Sequence, residues 1–160
     1  MEKTVQLLEG SKEYRSCHND LNGGNILWDG RKVILIDFEA ATLEDPYFDL
    51  ATVINHFIFD PDLEMRFLEV YYGAETSDSQ HVRLSLMKQV SHCYYAAHFL
   101  SFARQAGVEY YTEEELQELP AMKDIRIGLK EGTYPLETAQ HYMAYGSSFI
   151  KAAKNMNSSS

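Results

Sequence analysis

The amino-acid sequence predicts an α+β fold that is predominantly helical, with a small β-hairpin in its N-terminal third. Three observations carry that expectation. Two short apolar runs, Ile26-Leu27-Trp28 and Val33-Ile34-Leu35-Ile36, flank Asp29-Gly30-Arg31-Lys32, and Asp-Gly between β-formers signals a hairpin because the turn needs positive φ. After Asp45-Pro46 the apolar residues recur every three to four positions, the period of a helix with one buried face. Hydrophobic residues make up 45% of the 160 and aromatics 12%, which is apolar bulk enough for a packed domain and excludes a disordered chain.

Residues 1–16 are mixed and polar, with Val5, Leu7 and Leu8 the only apolar cluster, so they read as an N-terminal linker or short helix. Cys17 to Asn25 is a polar, glycine-containing run that neither a packed helix nor a strand would select, hence a loop. The hairpin follows, and the four unbroken apolar residues at 33–36 predict cover on both faces. Phe48, Leu50, Ala51, Val53, Ile54 and Phe57 make a first helix, stopped at Asp60-Pro61. Leu63, Phe67, Leu68 and Tyr71 make a second, closed by Gly73. Ser77 or Asp78 caps a long third helix whose stripe is Val82, Leu86, Val90, Cys93, Ala97 and Leu100, up to Gly107. Thr112-Glu113-Glu114-Glu115 has the form of a capping box opening a fourth. A last amphipathic segment carries Ala139, Tyr142, Met143, Phe149, Ile150 and Ala153, and residues 155–160 read as a disordered polar tail. The order is loop, hairpin, then four or five helices, so residues 17–154 form one lobe without internal repeats.

Fourteen basic against 24 acidic residues give a net charge of -10. Such a surface repels phosphate backbones and anionic membranes unless its cations cluster. They do not: Arg31-Lys32 and the Lys151, Lys154 pair are the densest groupings. Neither nucleic acid nor membrane is therefore an expected partner. No run approaches the roughly 18 apolar residues of a membrane span, and Met1-Glu2-Lys3-Thr4 lacks the layout of a signal peptide. Cys17 and Cys93 sit in unlike contexts and do not suggest a disulfide framework, which points to a cytoplasmic compartment with reduced thiols. An acidic protein handling a nucleoside triphosphate needs a divalent cation to bridge like charges.

The polar residues with chemical potential fall within one stretch: His18-Asn19-Asp20, Asn25, Asp37 and Asp49. Asp20 and Asn25 stand five apart in the pattern His-x-Asp-x-x-x-x-Asn, and Gly23-Gly24 lets the backbone fold tightly between them. That spacing allows a carboxylate to face an attacking hydroxyl while a neutral amide oxygen turns to a metal, the catalytic-loop arrangement of kinases. Asp37, at the end of the apolar strand 33–36, is rigidly held for a hard cation, and Mg²⁺ takes one or two carboxylates alongside phosphate oxygens. His18 reads as a structural histidine bonded to backbone near Asp37, because phosphoryl transfer rests on positioning and charge neutralisation rather than on extra proton carriers. Asp49, near a helix start, suits both the helix dipole and a role accepting loop N–H groups. Glu39, with Glu44-Asp45, could supply negative charge toward a cationic substrate; Glu39 is a weak substrate-binding candidate, no other residue is assigned that role, and solvated side chains are the plainer reading.

The run Cys17-His18-Asn19-Asp20-Leu21-Asn22-Gly23-Gly24-Asn25-Ile26-Leu27, then Ile36-Asp37-Phe38-Glu39, then Asp45-Pro46-Tyr47-Phe48-Asp49-Leu50-Ala51, resembles the aminoglycoside phosphotransferase and choline kinase superfamily. The resemblance implies a protein-kinase-like C-terminal lobe that uses ATP and Mg²⁺. In it Asp20 is the catalytic base, Asn25 and Asp37 hold the metal, and His18 and Asp49 support the site. It also implies transfer to a hydroxyl of a small molecule such as choline, ethanolamine or an aminoglycoside. His-Asn-Asp together with Asp-Phe-Glu is closer to choline and ethanolamine kinases and their bacterial relatives.

The motifs cover residues 17–51, and the later helices fit the family's C-terminal lobe in kind only. Complete members have an N-terminal nucleotide-binding lobe with a phosphate-pairing lysine. Residues 1–16 do not supply it, since Lys3 and Lys12 lie on no strand pattern. The chain is accordingly expected to lack that lobe and to expose a face through which it self-associates or docks the missing half. Tyr94, Tyr95, Tyr110 and Tyr111 could wall a quaternary ammonium, although aromatics at helical spacing more often pack a core. The rival is a catalytically inactive kinase-like fragment serving as a metabolite- or protein-binding module. A third reading, metal-dependent hydrolysis by Asp20, Asn25 and Asp37, needs a water nucleophile.

Overall fold

Four short strands come first and six helices follow, in a computed structural model that describes residues 14–158. The expected linker or short helix at 1–16 lies outside the described residues as far as residue 13, as do Lys3 and Lys12. Its last two residues belong to a strand. Strand β1 (Arg15–Cys17) pairs antiparallel with β4 (Thr42–Glu44), Cys17 opposite Thr42. Strand β2 (Ile26–Trp28) pairs antiparallel with β3 (Val33–Leu35), Trp28 opposite Val33. The turn between β2 and β3 is the Asp-Gly turn: Gly30 has φ 94°, and Asp29 Oδ1 accepts the N–H groups of Arg31 and Lys32 at 2.8 and 2.9 Å. Those bonds, that from Lys32 first, hold the Asp29 carboxyl below its ordinary pKa.

Cover on both faces of 33–36 was expected and is not found. Val33 is 58% exposed and Ile34, Leu35 and Ile36 are 37–40% exposed. An unbroken apolar run records that both faces seek cover, not that the fold provides it.

The described residues divide into two compact units, the first ending at Lys88 and the second beginning at Gln89. No linker-like composition marks the division because it falls inside a continuous helix, α3 (Asp78–Gln105). In the first unit, helix α1 (Tyr47–Phe57) buries Leu50, Ala51 and Ile54 with Leu68 of helix α2 (Pro61–Tyr72) and Leu84 and Met87 of α3. Asp60-Pro61, read as the stop of the first helix, is the start of the second. Asp60 caps α2 by accepting the Asp62 N–H at 2.9 Å, and Pro61 sits where its missing N–H costs nothing. Gly73 closes α2 with φ 70° and donates to Glu69 O at 2.8 Å. Polar ties reinforce the apolar ones. Arg83 of α3 is ion-paired with Asp45 and lies over the Tyr47 ring at 4.9 Å, and Lys88 Nζ binds Glu64 at 2.7 Å.

The buried stripe of α3 is displaced from the expected one. Val82, Val90, Cys93 and Ala97 are exposed, while Leu84, Met87, Ser91, His92, Tyr95 and Ala96 are buried. A count of hydrophobic side chains assigns serine and histidine to solvent and so rotates the predicted face by one to two positions.

In the second unit the Thr112 capping box opens α4 (Glu113–Glu118), with Thr112 N–H donating to Glu115 Oε2 at 2.7 Å. A further helix, α5 (Met122–Glu131), was not foreseen, because Ile125 and Leu129 are interleaved with Lys123, Asp124, Arg126, Lys130 and Glu131. Helix α6 (Ala139–Ser158) continues through Asn155 to Ser158, where a disordered tail was expected; an uninterrupted i to i−4 bond ladder carries polar residues as readily as apolar ones. Ser159 and Ser160 lie outside the described residues. Tyr95, Ala96, Met122, Ile125, Tyr145 and Phe149 form this unit's core. Of the four tyrosines considered as an aromatic wall, Tyr95 is stacked on Phe149 in that core, and Tyr110 is exposed beneath the Arg104 guanidinium.

Both cysteines are free thiols. Cys17 is buried, its Sγ 3.4 Å from Arg15 O and from Glu44 O, and burial, with the Asp49 charge next, raises its pKa; Cys93 is exposed. The thiolate is the reactive form, so one thiol, Cys93, reacts rapidly with maleimide at pH 7.5 and the second only in denaturant. Mass spectrometry of the labelled peptides checks this. Among the described residues no helix is long and apolar enough to cross a membrane.

Candidate functional site

The stretch after β1 is shaped by its own polar side chains. Asn19 adopts φ 64°, a left-handed conformation that asparagine tolerates better than most residues. That reversal turns two successive N–H groups toward one carboxylate at the start of α1. His18 N–H donates to Asp49 Oδ2 at 2.7 Å and Asn19 N–H to Asp49 Oδ1 at 2.8 Å. Charge-assisted bonds of this length are among the stronger ones available to a loop. Asn19 Nδ2 also reaches Ala40 O at 3.0 Å, joining the loop to the turn beyond β3.

His18 is 5% exposed, and its Nε2 lies 2.8 Å from Ile36 O. A carbonyl only accepts, so Nε2 carries the proton in this bond. The ring also packs on Phe38 at 4.5 Å between centroids. The histidine thus ties the loop to the end of the hairpin and occupies a bracing position.

Asp20 is partly exposed and receives two side-chain amides. Asn22 Nδ2 donates to its Oδ1 at 2.9 Å and Asn25 Nδ2 to its Oδ2 at 2.8 Å, while Asn25 Nδ2 also lies 2.9 Å from Asp20 O. The backbone closes with them: Asn25 N–H donates to Asn22 O at 3.1 Å and Gly24 N–H to Asn22 Oδ1 at 2.7 Å. The Asn25 amide nitrogen is committed to Asp20, which leaves its oxygen as the atom it can offer a cation. Asn22 had no place among the residues singled out from the sequence. The available signal was its position, two residues after Asp20 and directly before Gly23-Gly24, where an asparagine side chain folds back on the next turn.

Asp37 is brought to this loop by strand register. Ile36 N–H donates to Asn25 O at 3.1 Å, extending the β2–β3 ladder by one pair, so Asp37 is the next residue out. It is exposed and has φ 63°, a rare conformation for a residue with a Cβ. Strained backbone of this kind clusters at ligand sites, where surrounding structure over-determines it. Glu39 is exposed on the following turn, in which Ala41 N–H donates to Phe38 O at 3.1 Å. Asp45, considered as charge near the site, is largely buried and paired with Arg83.

Hydrogen bonds therefore join His18, Asp20, Asn25 and Asp49 through the backbone of Ile36, and Asp37 is the next residue along the chain. Among the described residues no three His, Cys, Asp or Glu side chains group as a metal cage. The donor chemistry present, a neutral amide oxygen and a strand-end carboxylate, is the hard-oxygen set that suits Mg²⁺ when phosphate oxygens and water complete the shell.

The model of the phosphotransferase enzyme family matches residues 3–83, just over half of the chain. Two proteins named LicA, both from Haemophilus influenzae, are each 39% identical over 57 residues, or 36% of this chain. The matched stretch is 21% of one and 17% of the other, so the chain spans about a fifth of the length of these curated relatives. No solved structure matches.

Proposed function

Because the chain belongs to the phosphotransferase enzyme family, we propose that it carries an ATP- and Mg²⁺-dependent site transferring the γ-phosphoryl group to a hydroxyl of a small molecule. Asp20 Oδ accepts the hydroxyl proton and orients the oxygen for attack, and Asn22 and Asn25 fix the carboxylate's rotation. The acceptor O–P bond forms as the γ-phosphorus to bridging-oxygen bond breaks, and ADP leaves with that electron pair. Asn25 Oδ1 and the Asp37 carboxylate would hold Mg²⁺, which supplies charge neutralisation at the phosphate oxygens. Asp49 keeps two loop N–H groups turned inward, and His18 ties the loop to the hairpin. The observation that carries this reading is the closed network from Asp49 through the loop to Asn25 and Asp20, since phosphoryl transfer is catalysed mainly by positioning.

For the acceptor, the family resemblance favours choline, ethanolamine or an aminoglycoside, and a net charge of -10 suits cationic molecules. The compartment that matches ATP supply and free thiols is the cytoplasm. Calorimetric titration of the full chain with ATP tests the metal assignment. Heat of binding is expected with Mg²⁺ and not with a chelator, and Asp37→Ala is expected to weaken the Mg²⁺-dependent binding at least tenfold, about 1.4 kcal/mol. Equal binding by Asp37→Ala would remove Asp37 from the metal site.

One observation favours a second reading, an inactive binding module that self-associates or docks a partner. Leu27, Trp28, Val33 and Phe38 are 45–64% exposed on and beside one hairpin, an apolar surface of the kind that marks an interface. The two readings part at transfer itself, which the first expects and Asp20 replacement sharply lowers, and which the second does not expect at all.

A further inference from the structure

Strand β1 and the first three helices line a cleft of about 520 Å³, within the range of roughly 300–1,000 Å³ that small-molecule sites occupy. Its lining residues all belong to the first unit, and none of His18, Asp20, Asn25, Asp37 and Asp49 is among them. Arg15 comes from β1, Tyr47 from the start of α1, Tyr71 and Tyr72 from the end of α2, and Arg83 from α3. The walls are fixed before any ligand arrives. Arg83 is 5% exposed, ion-paired with Asp45 and laid over the Tyr47 ring at 4.9 Å. The Tyr72 ring centroid stands 6.4 Å from that of Tyr47, and Tyr71 meets Tyr72 edge to face at 5.0 Å and 89°. Leu50 of α1, Leu68 of α2, and Leu84 and Met87 of α3 pack the same three helices together.

The chemistry of that lining runs against the chain's own. The protein carries 24 acidic and 14 basic residues, yet two arginines and no acid line the cleft. Asp45 answers Arg83 from outside the lining, and Glu44 stands opposite Arg15 in the β1–β4 ladder. Arg83 is thus a neutralised, buried wall. Arg15 is exposed, so it is the cation that a ligand arriving from solvent meets. Its planar guanidinium matches a carboxylate or two oxygens of a phosphate through parallel N–H bonds. Ser79 and Gln80, also in the lining, carry a hydroxyl and an amide able to bond the same kind of group. Three tyrosine rings make up much of the remaining lining, and Tyr71 is 45% exposed, which suits an aromatic ring stacked or set edge-on against it. We propose that this cleft binds a small aromatic oxyanion, its carboxylate or phosphate group on Arg15 and its ring against Tyr71 and Tyr72. The site is separate from the catalytic loop and independent of the phosphotransferase reading.

The test uses the full chain without nucleotide or divalent metal. Tyrosine ring resonances are followed by NMR during titration with phenyl phosphate and, separately, benzoate, with benzyl alcohol and benzylamine as the neutral and cationic controls. Phenyl phosphate, benzoate or both are expected to move the Tyr71 and Tyr72 rings in a saturable way, and the tighter of the two identifies the class of oxyanion. Neither control is expected to saturate. Arg15→Gln, a replacement at an exposed position, is expected to weaken binding about tenfold through loss of the charged fork. Tyr71→Ala is expected to weaken phenyl phosphate a few-fold and to leave inorganic phosphate, which has no ring, bound as before. No saturable movement with either oxyanion, equal affinity in Arg15→Gln, or benzylamine bound as tightly as phenyl phosphate would overturn the proposal.

Discussion

Replacing Asp20 by alanine is expected to lower kcat by about 10²- to 10⁴-fold, the range a positioned general base contributes. The Asp20 carboxylate accepts the Asn22 and Asn25 amides, and its removal frees both. Asn22 is partly exposed and finds water, whereas Asn25 is 9% exposed and loses an acceptor less cheaply. A stability loss of about 1–3 kcal/mol follows from one such group left short. The Asp37 carboxylate and the Asn25 oxygen remain, so Mg²⁺-dependent ATP binding should persist within a few-fold. Steady-state kinetics together with denaturant unfolding separate the two effects. Unchanged kcat in a folded Asp20→Ala chain would end the case for Asp20 as base, whereas no transfer by the unaltered chain would favour the binding-module reading.

The second large effect is expected at Asp49, a positioning residue. Its two oxygens hold consecutive N–H groups of the loop at 2.7 and 2.8 Å, and one of those residues, Asn19, sits at positive φ. Asp49→Asn leaves one acceptor and turns an amide NH₂ toward the other N–H, a donor facing a donor. The expected cost is about 1–3 kcal/mol for an unanswered buried donor, read as a lower denaturant midpoint at an unchanged slope. Catalysis should fall as well, because a loop free to relax at Asn19 no longer fixes Asp20. Asp49→Glu, which restores both acceptors with a longer arm, should recover part of the kcat. A residue serving only helix stability would show the midpoint change without the kinetic one, and that result would confine Asp49 to the fold.

What the sequence made legible is what local chemistry determines. Thr112 with Glu115, Asp60 with Pro61 and Gly73 mark helix ends because caps act within one turn. The Asp-Gly turn between β2 and β3 is equally local. Strand β1 escaped because Arg15-Ser16-Cys17 has no apolar alternation and its partner, Thr42–Glu44, lies far along the chain. The face of α3 was misread because Ser91, His92 and Tyr95 are interior residues that a hydrophobicity count sends outward. The exposure of 33–36 has the same root: periodicity reports which surfaces are apolar and is silent on whether anything covers them.

At the site, spacing singled out Asp20, Asn25, Asp37 and Asp49 as candidates, since loop and strand lengths limit which positions can converge. It could not show that Asn22 clamps Asp20, or that Asn19 and Asp37 take positive φ. Those features depend on side chain to backbone bonds that form only once the hairpin end and the start of α1 are in place. The burial of the Arg126 guanidinium is invisible for a related reason, because an arginine among Lys123, Asp124, Lys130 and Glu131 on α5 reads as solvated until its neighbours are known.

The most direct measurement is ³¹P NMR of the full chain with ATP and Mg²⁺ in the presence of choline, ethanolamine or an aminoglycoside. The account predicts loss of the γ-phosphate signal with equal growth of ADP and of one new phosphomonoester resonance, and no such resonance with Asp20→Ala. Growth of ADP with inorganic phosphate alone would point to water as acceptor, and a spectrum unchanged with every acceptor, or a phosphomonoester formed equally by Asp20→Ala, would contradict the account.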